Sequence, residues 1–270
     1  MKREVFSLGY VGFYAITVTL PLFGLIFCLA YVFLFERESF FGKSYSPCLN
    51  NTCYLPSISQ ATQDLPRSSF PRRLLWYLCI YGTICQRLPN SFIYRNLYTR
   101  FLPSNRFSRP ILLVLIQLAC FCGVTELIGL ILVCARYDPH VPGIYLFALS
   151  ACVHFPIHCL LHRCTGLTAA FKAAERAFQL QITFTAAFYA GIVGFYVFFK
   201  LYVGNCLWYG SDAFVASEYL MVFSNLAFHS TFWWDYAGSH RWVVRKNDTP
   251  KVRYEKIDKV QLVVFEKSKL

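Results

Sequence analysis

EYLMVFSNLAFHSTFWWDY, Glu218 to Tyr236, is long and apolar enough to cross a bilayer, yet it carries Glu218, Asn225, His229 and Asp235. At 100° per residue, Asn225 falls about 20° to one side of Glu218 and His229 about 20° to the other. Three polar side chains therefore share one narrow stripe of a helix that is otherwise greasy and aromatic. Polar and ionisable groups are costly inside a membrane, so such a stripe turns toward a bundle interior or a wet cavity. The stripe is where chemistry is expected.

The rest of the chain agrees with a membrane setting. Its 270 residues are 56% hydrophobic and 19% aromatic, with a mean hydropathy of +0.43, above the roughly 45–50% apolar content of soluble domains. A net charge of +12 could suit a nucleic acid, but the basic residues lie between apolar blocks and in the tail, as membrane topology requires. The expected partner is the membrane, with no nucleic acid. Of 12 cysteines, Cys28, Cys79, Cys85, Cys120, Cys122, Cys134, Cys152 and Cys159 fall in or at the ends of apolar segments, where Cys packs as a small apolar residue. Cys164 lies just past a span, leaving Cys48, Cys53 and Cys206 in loops.

The fold class this predicts is an all-α bundle of about six transmembrane helices with both termini cytosolic. The membrane domain covers 1–236, with spans at about 10–35, 74–94, 111–134, 143–161, 178–199 and 213–236, each near the ~20 residues that ~30 Å of hydrocarbon requires. A luminal loop covers 36–73 and a basic cytosolic tail 237–270. The first segment is too long for a signal-peptide core and reads as an uncleaved anchor. Orientation follows from the 26 Lys and Arg: 18 fall on the side of the termini, 7 on the other, and Arg87 lies within a span. Asn50-Asn51-Thr52 is then a luminal glycosylation sequon, whereas Asn247-Asp248-Thr249 sits in the tail and stays bare. The closing Ser268-Lys269-Leu270 resembles a peroxisomal address, but spans inserted during synthesis take precedence over it. In an oxidising lumen, Cys206 can pair with Cys48 or Cys53, and a local Cys48–Cys53 bridge is the rival.

Polar residues recur in other spans. Arg87 either snorkels to the headgroups or turns into the bundle. The third span holds Glu126 and Gln117; the fourth holds His154 and His158, with Pro156 between them. His154, His158 and His162 repeat at a spacing that can serve metal ligands. His162 falls at the headgroups, however, and no further ligand is obviously placed, so no metal is expected. In the fifth span Ala186, Ala190 and Gly194 form a small-residue stripe suited to helix contact. Counted at 1.5 Å per residue from the luminal end, Glu218 lies about 5–8 Å deep, Glu126 about 12 Å, His154 and Asn225 about 17 Å, and Arg87 and His229 about 20–24 Å. Four helices thus offer polar groups at overlapping depths. Facing one another, they form either a structural set of interhelical hydrogen bonds or a site for an amphiphile entering from the luminal leaflet.

Two segments carry a resemblance: YLPSIS (Tyr54 to Ser59) and SEYLMVFSNLAFHSTFWWDY (Ser217 to Tyr236). With Arg87, Glu126, His154 and Arg163, they resemble the post-GPI attachment to proteins factor 2 family, over most of the chain up to Tyr236. The family is related more broadly to DRAM-like membrane proteins, whose roles differ. The resemblance does not extend to His158, His162 or Cys53, which further weakens a metal site, and it favours the Cys48–Cys206 bridge. It implies a multi-pass Golgi or endoplasmic reticulum protein that remodels GPI anchors by returning a saturated acyl chain to the sn-2 position of lyso-GPI. The implied partners are GPI-anchored proteins and the lyso-GPI lipid. No resident cofactor is implied, and the acyl donor is acyl-CoA or a phospholipid.

On that basis the catalytic candidates are His229, Asn225 and His154, with either His as general base. Arg87, Glu126, Glu218 and Asp235 are candidates for substrate binding. With no Ser or Cys nucleophile elbow in view, direct transfer to a lipid hydroxyl is expected. The competing readings are a non-catalytic escort for lyso-GPI proteins or for an acyltransferase, and a small-molecule transporter. The absence of paired, broken inverted segments argues against the transporter.

Overall fold

The computed structural model describes residues 4–36, 48, 54–59, 61, 70–100, 102, 108–134, 140–166, 168, 172–232 and 241–245. Among these, six long helices run in chain order: α1 (Tyr10–Phe35), α2 (Phe70–Arg100), α3 (Ser108–Cys134), α4 (His140–Cys164), α5 (Lys172–Asn205) and α6 (Gly210–Ser230). A short ribbon joins β1 (Glu4–Gly9) to β2 (Arg241–Arg245) in antiparallel register, Gly9 opposite Arg241 and Glu4 opposite Arg245. The ribbon is an addition to the all-α expectation. It holds the segment before α1 beside the segment after α6, so both lie on one side of the bundle, as an even number of crossings requires.

The protein is a helical, multi-pass membrane protein. Val18–Phe35, Arg109–Val133, His140–Cys164 and Lys172–Asn205 are long and apolar enough to span by their own composition, four segments among the described residues. The other two helices are more polar, and several of their polar groups are turned inward. Arg87 of α2 is buried, as are Ser217, Glu218, Ser224, Asn225 and His229 of α6. A helix that hands its polar groups to neighbouring helices can lie in a bilayer despite a lower average hydropathy.

Neighbours in sequence pack side by side, α1 on α2, α2 on α3, α3 on α4 and α5 on α6, with sparser seams between α4 and α5 and between α6 and α1. The tight pairs depend on glycine. A Cβ on Gly129 of α3 would collide with the Phe147 nitrogen of α4, and one on Gly143 of α4 would lie 2.7 Å from the Val133 nitrogen of α3. This close approach brings Glu126 and His154 onto facing surfaces.

The α5–α6 contact corrects the small-residue expectation. Ala186 and Ala190 are exposed, and the close approach is made by Gly191 against Met221, with Gly194 against Ser217. The contact face is rotated by one residue, because Gly191 rather than Ala190 faces α6. Gln117 is likewise on the outer face of α3.

Pro156 sits inside α4 without stopping it. Lacking an N–H, it leaves the Cys152 carbonyl one turn earlier without its helical donor, and the Tyr189 hydroxyl of α5 donates to that carbonyl at 2.5 Å. The interior below the polar groups is aromatic, with Phe155 of α4 stacked on Phe228 of α6 at a ring separation of 3.8 Å. At the opposite end, a disulfide joins Cys48, after α1, to Cys206, before α6.

Candidate active site

Four helices converge on the carboxylate of Glu126, which is fully buried. Its Oε1 accepts Arg87 Nη1 from α2 at 2.7 Å, Asn225 Nδ2 from α6 at 2.7 Å, and His229 Nε2 from α6 at 3.0 Å. Its Oε2 accepts His154 Nδ1 from α4 at 2.9 Å. Arg87 Nη2 closes the set by donating to Asn225 Oδ1 at 2.5 Å. One guanidinium and one carboxylate balance each other, so a buried charge pair is held by three further polar side chains. Breaking such a pair by removing one partner is far more costly than replacing both.

The hydrogen bonds fix the tautomers. A carboxylate paired with a guanidinium only accepts, so each imidazole must donate through the nitrogen that faces it. His229 donates from Nε2 and His154 from Nδ1. In the neutral ring the Nε2 of His154 then keeps its lone pair, the orientation a general base needs. It faces a small cavity of about 20 Å³, lined by Arg87, Ser91, Tyr98, Gly123 and His229 among others, with exposed Arg95 at its edge. That volume admits about one water-sized group. Gly123 keeps the ring edge open, since a Cβ there would lie 3.6 Å from His154 Nε2 and 3.0 Å from Ser91 Oγ.

Glu126, His154 and His229 could also converge on a metal ion, their nearest ligand atoms lying within 4.8 Å of one another. The donor set argues for hydrogen bonding instead. Glu126 Oε1 already meets three donors, and the positive Arg87 guanidinium stands 2.7 Å from it, where a second cation would be repelled. His158 and His162 do not join this group. They are packed in an aromatic enclosure with Tyr94, Tyr98 and Phe232, the Tyr98 hydroxyl lying 3.2 Å from His158 Nδ1.

Glu218 is built into a different level of the same helix. It is buried, and its Oε2 accepts Ser57 Oγ at 2.7 Å and the Ile58 N–H at 3.0 Å. Its Oε1 accepts the Ser59 N–H at 2.8 Å and the Ser59 hydroxyl. Asp212 in the first turn of α6 accepts the Tyr54 and Leu55 N–H groups at 2.8 and 3.0 Å, and Tyr219 donates to the Pro56 carbonyl at 2.8 Å. The Tyr54–Ser59 segment is thus pinned to α6 by three of its side chains. Sequence reasoning named both segments without pairing them, and missed Ser57, Ser59, Ser91 and Gly123 as parts of the site. A pair of serines after Pro56 was the available signal for the first two. Asp235, Asn50 and Cys53 lie outside the described residues.

Fold and site together define a multi-pass membrane protein with a carboxylate-anchored pair of histidines inside its helix bundle. The Frag1/DRAM/Sfk1/Cwh43P N-terminal domain profile matches residues 10–239, and the chain belongs to that family. It is 28% identical over 256 residues to a Xenopus tropicalis protein named Acyltransferase PGAP2, covering 91% of this chain and 95% of that protein. It is 26% identical over 257 residues to a Drosophila melanogaster protein named Post-GPI attachment to proteins factor 2, covering 87% of this chain and 89% of that one. A second Drosophila melanogaster protein, named Post-GPI attachment to proteins factor 2-like, is 25% identical over 240 residues, covering 85% of this chain and 70% of the relative. No solved structure matches the chain.

Proposed function

We propose that this protein acts in the maturation of GPI anchors, as an acyltransferase that returns a saturated chain to the sn-2 hydroxyl of lyso-GPI. The names of the relatives, one of them an acyltransferase, support the setting. The observation that carries the chemistry is His154, held by Glu126 through Nδ1 with Nε2 facing a cavity. His154 Nε2 takes the proton from the lipid hydroxyl, whose oxygen forms the new bond to the acyl carbon. The bond from that carbon to the donor's sulfur or oxygen breaks, and the leaving group recovers the proton from His154. Glu126, His229 and Asn225 act as positioning residues, keeping His154 in its basic tautomer. The donor class is an acyl-CoA or a phospholipid, and the site needs no metal. The Golgi membrane, or that of the endoplasmic reticulum, is the location the family resemblance suggests, and the charge distribution supports termini in the cytosol with Asn50 in the lumen.

The direct test supplies lyso-GPI and a saturated acyl-CoA or phospholipid to the purified protein in vesicles. Acylated GPI should form with the wild type and be lost with His154→Asn. Tight lyso-GPI binding without turnover by the wild type would favour the escort reading over the enzyme.

A further inference from the structure

Arg87 has one guanidinium nitrogen without a partner among the described residues. Its Nη1 and Nη2 are taken by Glu126 and Asn225, but its buried Nε–H meets no acceptor among the described residues. An orphaned N–H on a buried guanidinium is rare enough to call for an explanation, and an acceptor brought by a ligand is a direct one. Arg87 is also the one residue that lines both this site's cavity and a second, larger cavity on the Glu218 side of the Arg87–Asn225 pair.

The second cavity, about 70 Å³, is polar only at its ends. Ser59 and Glu218 stand at one end, Arg87 and Asn225 at the other, and the walls between include Leu130, Phe147 and Met221. Half-buried Ile144 of α4 and Phe195 of α5 also line it. Those two helices meet at one of the sparse seams of the bundle, so the cavity adjoins the lipid there.

We propose that this second cavity is an acyl-chain site, in which the carbonyl oxygen of an acyl thioester or ester accepts the Arg87 Nε–H. The cavity, more than three times the one-water volume beside His154, takes the first few carbons of the chain, and the rest passes between Ile144 and Phe195 into the bilayer. The choice of an acyl chain rests on the acyl-transfer reading above; the unmatched donor and the apolar walls are independent of it. A carbonyl at Arg87 sits at the boundary of the two cavities, within reach of a hydroxyl activated by His154. As that hydroxyl attacks, negative charge grows on the carbonyl oxygen, and the fixed guanidinium meets it without reorganising.

The full chain in vesicles can be tested with a palmitoyl chain carrying a photoreactive diazirine a few carbons from its carbonyl. One arm delivers the chain as its CoA thioester and the other as phosphatidylcholine, which separates the two donor sources. Adducts are expected on peptides containing Leu130, Phe147 or Met221. Leu130→Trp should fill the cavity and lower their yield about tenfold. Phe195→Ala, at the half-buried edge and so tolerant of change, should keep the adducts and admit a chain with a bulkier substituent near the carbonyl. Adducts confined to lipid-facing residues such as Val193 and Val197, and indifferent to Leu130→Trp, would overturn the proposal. Acyl transfer with adducts only there would leave the acyltransferase reading standing without this cavity. Adducts inside the cavity without any transfer would do the reverse.

Discussion

Glu126 Oε2 accepts the Nδ1–H of His154 at 2.9 Å, and that hydrogen bond decides which nitrogen of His154 can take a proton. His229 meets the same carboxylate through Nε2 at 3.0 Å, so the two rings present opposite nitrogens. Two histidines equally eligible in sequence become unequal in the fold. The difference can be measured.

His154→Asn retains an amide N–H near the Nδ1 position and so keeps the bond to Glu126, but it has no group in place of Nε2. The variant should fold normally and lose about 10²–10⁴ in turnover, the usual size of a general-base contribution. His229→Gln carries an N–H near the Nε2 position and should keep turnover within about tenfold. Rates in vesicles, read beside thermal unfolding curves, check both. Activity surviving in His154→Asn but not in His229→Gln would reverse the roles.

Gly123 offers a subtler probe of the same nitrogen. Its added Cβ would approach Ser91 Oγ to 3.0 Å and His154 Nε2 to 3.6 Å. Gly123→Ala should therefore hinder access to the base while leaving the fold close to intact, at a cost of about 1 kcal/mol for a mild overpacking. The steady-state signature is a lower kcat/KM. Adding Ser91→Ala removes the closest contact and should restore part of it, whereas a purely structural role for Gly123 predicts equal losses in stability and activity.

The Arg87–Glu126 pair predicts a strongly non-additive result. Glu126→Leu leaves the guanidinium without its counter-charge in a site where Arg87 is only 3% exposed, a loss of about 3–5 kcal/mol. Adding Arg87→Met removes the stranded charge and should recover most of the stability, though no activity. Thermal unfolding of the four proteins in nanodiscs measures the coupling. A double variant no more stable than Glu126→Leu alone would show that the pair is not what holds these helices together.

The stripe on the last helix was legible because helical periodicity projects Glu218, Asn225 and His229 onto one side, and an apolar span has nowhere else to put them. Periodicity is silent, however, about what each residue meets. Seven residues separate Glu218 from Asn225, about 10 Å along the axis. At that distance Glu218 belongs to a different layer, and its partners come from the loop segment Ser57–Ser59 rather than from a helix. No pattern within one helix could supply them. Arg87 was open between snorkelling and burial for the same reason, since only the position of Glu126 on another helix decides it. The offset from Ala190 to Gly191 shows a further limit. Small residues occur on several faces of α5, and which face touches α6 depends on the crossing, not on composition. The β1–β2 ribbon pairs residues from opposite ends of the chain, beyond any local signal.

The contact between Glu218 and the Tyr54–Ser59 segment carries the last prediction. Four donors reach one buried carboxylate: the Ser57 and Ser59 hydroxyls and the Ile58 and Ser59 N–H groups. Glu218→Ala would leave all four without that acceptor, and each hydrogen bond to a charged group contributes roughly 1.5–3 kcal/mol. Water entering at the rim offsets much of this, so a local loss of about 2–4 kcal/mol is expected. At 1.4 kcal/mol per factor of ten, that corresponds to amide exchange about 30–700 times faster at Ile58 and Ser59. The Cys48–Cys206 bridge still holds Cys48 just before α6, so global unfolding should change less than local exchange. Glu218→Gln, which keeps one carbonyl acceptor, should fall between wild type and Glu218→Ala. Unchanged exchange at Ile58 and Ser59 in Glu218→Ala would mean that Asp212 and Tyr219 hold the segment without it.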